Sequence, residues 1–402
     1  MPIALAAMLA AAASAANARE VVLAVSDSNG VAERRAVPVS QTVDLSGLAG
    51  GPVVPELLRL TEANTGVAVP VQFEADRPAS RQGTLWFLLP PSATRERRLK
   101  LTLTTNRAPA AFTIKADPAG SFFDIAEGPL PVLRYNHGTV PVPAGVDTNY
   151  ARGDYLMPLF GPDGEVLTDD YPKDHPHHRG VGWSWPVTRW GNEVRDIWAC
   201  QGVWARPVAM RRVEAGSVCA LLHAESVWKW GDTNPIVREE VVIRAFRKTG
   251  DDRFVDVEVR LTALAEGVAI GGRPHGGYGG FGLRAMPAQQ RVITRHTDPA
   301  EVNPRRSWLD YSGRFAGGKG PAGLAILEHV ANPIYPNALL EYPDLNYVMP
   351  AFPGEREVPL SKATPLVLRH RLWVHAGMAG EPALADVWAA YANPPQTRVE
   401  SR

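Results

Sequence analysis

The sequence predicts an all-β protein, a small N-terminal β-sandwich followed by a large antiparallel β architecture. Three observations carry that expectation. Gly and Pro, 36 of each in 402 residues, are both above average and supply turns between many short strands. Apolar and polar residues alternate in runs such as Lys100-Leu101-Thr102-Leu103-Thr104 and Phe254 to Leu261, the period of half-buried strands. Helical spacing occurs in one segment only, Pro382 to Tyr391.

The length suits two domains, or one large β domain with an accessory. Hydrophobic residues make up 45% and charged residues 21%, so a sizeable core can form. Acidic and basic residues balance at 42 each with no basic run, which leaves no electrostatic footprint for nucleic acid.

Met1 to Ala18 is rich in Ala, Leu and Met and ends in Ala16-Asn17-Ala18. The small residues of that triplet match a signal-peptidase site with cleavage before Arg19. Residues 1–18 are thus expected to be a signal peptide, and the protein periplasmic or secreted. No other run reaches the ~18 apolar residues of a membrane span, so no integral membrane span is expected.

Residues 19–117 read as an accessory β-sandwich. Glu20 to Val25, Val67 to Phe73 and Leu85 to Leu89 are apolar runs bounded by Gly, Pro, Asn and Ser turns. The character changes after Asp117-Pro118-Ala119-Gly120. Over residues 118–380 aromatics and histidines become frequent, and strand candidates recur at Leu130–Tyr135, Val218–Trp230, Arg238–Phe246, Phe254–Leu261, Gly323–Glu328 and Leu366–His375. Residues 381–402 are expected to be a capping helix and, from Asn393, a frayed tail. Cys200 and Cys219 are equally compatible with a disulfide across neighbouring strands and with two buried thiols.

Chemistry concentrates in Asp174-His175-Pro176-His177-His178-Arg179-Gly180, where three of the ten histidines fall within four positions. If this stretch is extended, His175 and His177 share a face and His178 points away. Two imidazoles at that spacing, with Asp174, can hold a divalent metal. Alternatively His177 or His178 is a general base or acid, and Arg179 clamps an anion through its planar fork. The blander reading is a polar loop whose histidines bond backbone carbonyls.

Seven of the eleven tryptophans lie between residues 183 and 230. Trp183 and Trp185 flank the histidines and suit either core packing or the apolar face of a sugar ring. Pro274 to Gly282, with its five glycines, opens no amphipathic helix and so is not a dinucleotide loop. Glycines among strands mark close backbone approach, which makes His275 and Tyr278 candidate proton partners. His137, at the end of Arg134-Tyr135-Asn136-His137, and Trp308 and Asp310 in a predicted turn are candidate substrate contacts. Glu239 and Glu240 begin a strand, and one is a candidate carboxylate acid/base, although such pairs are usually solvated. The absence of a Gly-x-Ser-x-Gly elbow, a His-Glu-x-x-His motif and a phosphate loop counts against esterase, zincin and nucleotidase functions.

Tyr135-Asn136-His137, the Asp174–Gly180 string, Tyr278 to Arg284, Trp308 to Gly313 and Gly323 to Leu327 together resemble an uncharacterised bacterial family often labelled "methane oxygenase PmoA-like". The resemblance covers roughly residues 120 to 380, and the His-Pro-His-His-Arg-Gly string is its most specific part. That label implies an integral membrane copper subunit, which a chain without membrane spans does not match. What the resemblance implies is architecture: the galactose-mutarotase-like β-supersandwich, used by epimerases, polysaccharide lyases and some glycoside hydrolases.

The expected function is an exported carbohydrate-active enzyme that acts on an oligosaccharide or modified sugar by elimination or hydrolysis. A divalent metal is the one cofactor the histidine cluster admits. The rival expectations are a sugar-binding protein without catalysis and a metal-dependent oxidase.

Overall fold

The computed structural model describes residues 19–400. The expected signal peptide lies outside these residues. The described chain is nearly all β, in antiparallel sheets.

The N-terminal part forms a five-stranded and a three-stranded sheet. Leu23, Val25, Leu60, Leu99 and Leu101 from the first meet Val39, Phe73, Leu85 and Phe87 from the second in one core. The alternation that predicted strands places these residues inward and their charged neighbours outward. The edge strand beside Glu20–Ser26 is Gln396–Glu400, with Val399 opposite Leu23. The C-terminal segment is therefore not a frayed tail: it is the outermost strand of the N-terminal sheet.

Two eight-stranded sheets make up the larger part. The first, here the site sheet, runs in space Ala338–Tyr342, Tyr347–Ala351, Gly280–Arg284, Val181–Ser184, Tyr155–Leu159, Leu130–Asn136, Phe122–Glu127 and Phe112–Ala116. Its last strand precedes the expected boundary at residue 118, so the larger body begins before Asp117-Pro118. The second, the long-strand sheet, includes Val203–Ala215, Cys219–Trp230, Asn234–Phe246 and Arg253–Ala263, each 11 to 13 residues long. Period-two patterning sends Leu222, Val241, Ile243 and Val257 toward Trp183, Leu283 and Val348 of the site sheet, closing a continuous core between the two. A four-stranded sheet that includes Val187–Trp190 and Val268–Gly271 flanks the pair.

The opposite face of the long-strand sheet is covered by the helix Glu381–Ala392, whose Leu384, Val387, Trp388 and Tyr391 pack on Phe246, Trp308 and Trp373. Pro382 suits the first turn of that helix, where its missing N–H costs nothing. Glu74 pairs with Arg212 and Arg244, each at 2.9 Å, and ties the N-terminal sandwich to the larger body. Cys200 and Cys219 are both buried and free, which removes the disulfide alternative. None of the described helices is long and apolar enough to cross a membrane.

Candidate functional site

Gly182 pairs with Gly282 across adjacent strands of the site sheet. Their neighbours Trp183, Phe281 and Leu283 point into the core, so the glycines and Ser184 occupy the sheet's outer face. A Cβ at Gly282 would sit 2.0 Å from the Tyr347 hydroxyl oxygen, so only glycine admits that ring against the strand. Above this dent lies a cavity of about 430 Å³. Its walls are the histidine segment, the Asp196–Gln201 turn, Arg273 and Tyr278, and the Tyr342–Met349 hairpin.

The histidine segment is not extended. His175 N–H donates to the Pro172 carbonyl at 3.1 Å and His178 N–H to the His175 carbonyl at 2.9 Å, two tight turns in succession. Winding brings all three imidazoles together, whereas an extended run would have split them. The rings of His175 and His178 stack at 4.8 Å, and His177 meets His178 edge-on at 4.7 Å. All three line the cavity, beside Trp198 and Tyr347.

Arg284 anchors this arrangement. Its guanidinium donates to both oxygens of Asp174, at 2.8 and 3.2 Å, and approaches His178 Nδ1 at 3.5 Å. Asp174 in turn accepts from His175 Nδ1 at 3.2 Å. Desolvation would raise the Asp174 carboxyl, but the hydrogen bonds from Arg284 and His175 outweigh it and hold it down at about 2. Burial first, then the neighbouring imidazoles, push His177 down to about 4 and His178 to about 2. Both are neutral near pH 7. A neutral His178 accepts from Arg284 through Nδ1 and so carries its proton on Nε2. His175, oriented by an ionised carboxylate, has Nε2 left as a proton acceptor.

The other expected site residues divide. Tyr278 lines the cavity, its ring 5.5 Å from Trp198. His275 does not: it lies exposed in a turn at φ 59, outside the cavity walls. Arg179 is no free anion clamp. Its Nε donates to Asp170, Nη1 to the Tyr150 carbonyl at 3.2 Å and Nη2 to the Tyr155 hydroxyl at 2.6 Å, while Tyr171 covers its face at 3.4 Å. It fastens the segment to the sheet.

Trp183 and Trp185 are core residues and offer no plate to a sugar. Trp183 Nε1 donates to Glu239, and Trp185 Nε1 to the Phe352 carbonyl at 2.9 Å. Trp308 and Asp310 belong to a strand and not a turn, and face away from the cavity on the helix-covered side of the long-strand sheet. There Asp310 bonds His375 and Ser312. His137 is buried against Tyr135, its Nε2 at 3.2 Å from the Glu225 carbonyl. Glu239 is 1% exposed and accepts from the indoles of Trp183 and Trp228, so it is neither solvated nor in the cavity.

Among the described residues no group of three or more His, Cys, Asp or Glu side chains is arranged to hold a metal ion. Asp174, the expected carboxylate ligand, has both oxygens committed to Arg284. The expected set of His175, His177 and Asp174 is therefore not assembled as a metal centre.

Sequence reasoning passed over Arg152, Asp196, Arg273, Tyr342 and Tyr347, which surround the histidines in space. They come from four separate stretches, and the one available signal was the glycine alternation of Gly280-Phe281-Gly282, which leaves room on one face for a ring.

Fold and site together define an all-β double-sheet protein with a histidine- and aromatic-lined cavity on the outer face of one sheet. Residues 123–389 match a family of unknown function, DUF6807, and the chain belongs to that family. No curated protein matches it.

Proposed function

We propose that this is an exported carbohydrate-active enzyme that cleaves an oligosaccharide or modified sugar by elimination. One observation carries the reading: three imidazoles and the rings of Trp198, Tyr278 and Tyr347 share one cavity in which Asp196 is the only carboxyl group among the described residues. Aromatic faces with polar edges suit a pyranose ring. Hydrolysis ordinarily needs two carboxyl groups flanking the glycosidic bond, and the second is missing from these walls. Elimination needs a base for a carbon-bound proton and an acid for the departing oxygen. His177, or His175 oriented by Asp174, takes the proton; its electron pair forms the new C=C bond. The glycosidic C–O bond breaks, and the Tyr278 phenol protonates the leaving oxygen.

Two further points support the reading. Two eight-stranded antiparallel sheets packed face to face suit the mutarotase-like supersandwich that the PmoA-like resemblance implies. The Ala16-Asn17-Ala18 triplet supports export to a compartment where polysaccharide is met. The test is a glycan panel followed by ultraviolet absorbance of the unsaturated product, with His177→Ala beside wild type. Absorbance that grows with wild type and not with the variant supports elimination. Reducing ends without that absorbance would point to hydrolysis, and binding without turnover to a lectin-like role.

A further inference from the structure

A second, smaller cavity adjoins the first and shares His177, His178, Trp198 and Tyr347 with it. Arg152 lines it and is only 9% exposed. Such a cation is ordinarily paired, yet among the described residues no carboxylate lies within ion-pair distance. Its one protein partner is the Trp198 carbonyl, 3.4 Å from Nη1. Nε and Nη2 have no protein acceptor and are not sealed off, on a side chain that lines the cavity.

Two more donors face the same space without a protein acceptor: the Ser184 hydroxyl, on a residue 6% exposed, and the Tyr347 phenol. Among the described residues no Asp or Glu lines this cavity. A buried cation with one carbonyl acceptor and two hydroxyls with none suit a small planar anion that accepts several hydrogen bonds, reaching in from the larger cavity because this one holds only about 20 Å³.

Resting on the elimination reading for its setting, we infer that the ligand carries a carboxylate, and that Arg152, Ser184 and Tyr347 receive it. The ligand class is then an acidic sugar, a uronate, and not a neutral glycan. The chemistry agrees with the position. A carboxylate on Arg152 sets the adjacent carbon beside His177, and the guanidinium balances the charge that builds on that carboxylate as the proton leaves.

The test pairs acidic oligosaccharides with neutral twins. Oligomers of galacturonate, glucuronate and mannuronate are compared with their methyl esters by calorimetry on wild type, Arg152→Lys, Arg152→Gln and Ser184→Ala. At least one acid should bind wild type roughly tenfold or more tighter than its ester, the range of a charged hydrogen-bonded contact. Ser184→Ala, which keeps the fold, should narrow that preference, Arg152→Lys should retain part of it, and Arg152→Gln should abolish it. No acid preference in any pair, or an undiminished preference in folded Arg152→Gln, overturns the inference. Acid-selective binding without turnover leaves the anion subsite standing and removes the enzyme reading. Turnover of neutral glycans alone does the reverse.

Discussion

His177 is half-buried beside two other imidazoles, and burial first, then the charge repulsion of its neighbours, depresses it to about 4. If His177 is the base, its active neutral form persists to that pH. The acid limb of kcat/KM should then fall near pH 4 and not near the ordinary histidine value of 6.5. His177→Ala should lower kcat/KM by roughly 10²–10⁴-fold, and a limb that stays near 6.5 assigns the base to another group. Arg179 calls for a different outcome. Its side chain is 2% exposed and each of its three nitrogens makes a hydrogen bond, so Arg179→Ala strands Asp170 and should cost about 3–5 kcal/mol of stability. Turnover per folded molecule should change little, measured after thermal unfolding has set a safe temperature. A clamp on substrate would behave in the opposite way, losing rate with the fold intact. The histidine cluster was legible because its members are adjacent in the chain, so density alone exposes it. Arg152 was not, because an isolated arginine shows its worth only by lacking a carboxylate within ion-pair distance, which is a property of space.

At the scale of elements, alternation identified the strands, while pairing stayed hidden wherever partners are remote. Gln396–Glu400 illustrates this. Five mostly polar residues after a helix have no local reason to be ordered, and their hydrogen bonds go to Glu20–Ser26 at the other end of the chain. Arg98 adds a fork to Glu400, at 2.8 and 2.9 Å, from the strand beyond. Truncation after Asn393 should therefore uncover the backbone edge of Glu20–Ser26. The N-terminal sandwich loses a strand and gains an aggregation-prone edge. Hydrogen exchange of the Val22–Ser26 amides should rise, and the truncated protein should self-associate more readily. Unchanged exchange at those amides would mean that the strand contributes nothing to the sheet. The tryptophans teach the converse lesson. Pairs at i and i+2 show that two rings share a face, but not whether that face is core or cavity. Trp183 and Trp185 face the core, while Gly282, beside Gly182 on the outer face, leaves room there for Tyr347.

For the whole molecule, the all-β class follows from composition and period, whereas the polar centre of its core does not. Between the two large sheets, Glu239 accepts from the Trp183 and Trp228 indoles, and Asp154 accepts from the Tyr135 hydroxyl at 2.6 Å. Burial first, then the Asp154 charge, pushes Glu239 up to about 8, and burial raises Asp154 as well. Unfolded, Glu239 titrates near its ordinary 4.5. Between those values the folded protein keeps a proton that the unfolded chain has released. Its contribution to stability therefore falls as pH rises from about 4.5 to about 8 and is level above that. Buried histidines act in the other direction. His370, pushed down to about 3 by burial, favours unfolding as the pH drops below 6.5. The two trends overlap, so the total curve is a poor probe and a difference is needed. Glu239→Gln cannot titrate, and its amide nitrogen faces one indole N–H, a lost acceptor worth about 1–3 kcal/mol. Wild type should thus be the more stable protein at pH 5, with the gap shrinking steadily toward pH 8. Urea unfolding of both proteins across that range measures it. A gap that is constant, or that widens with pH, would show that Glu239 is ionised in the folded core.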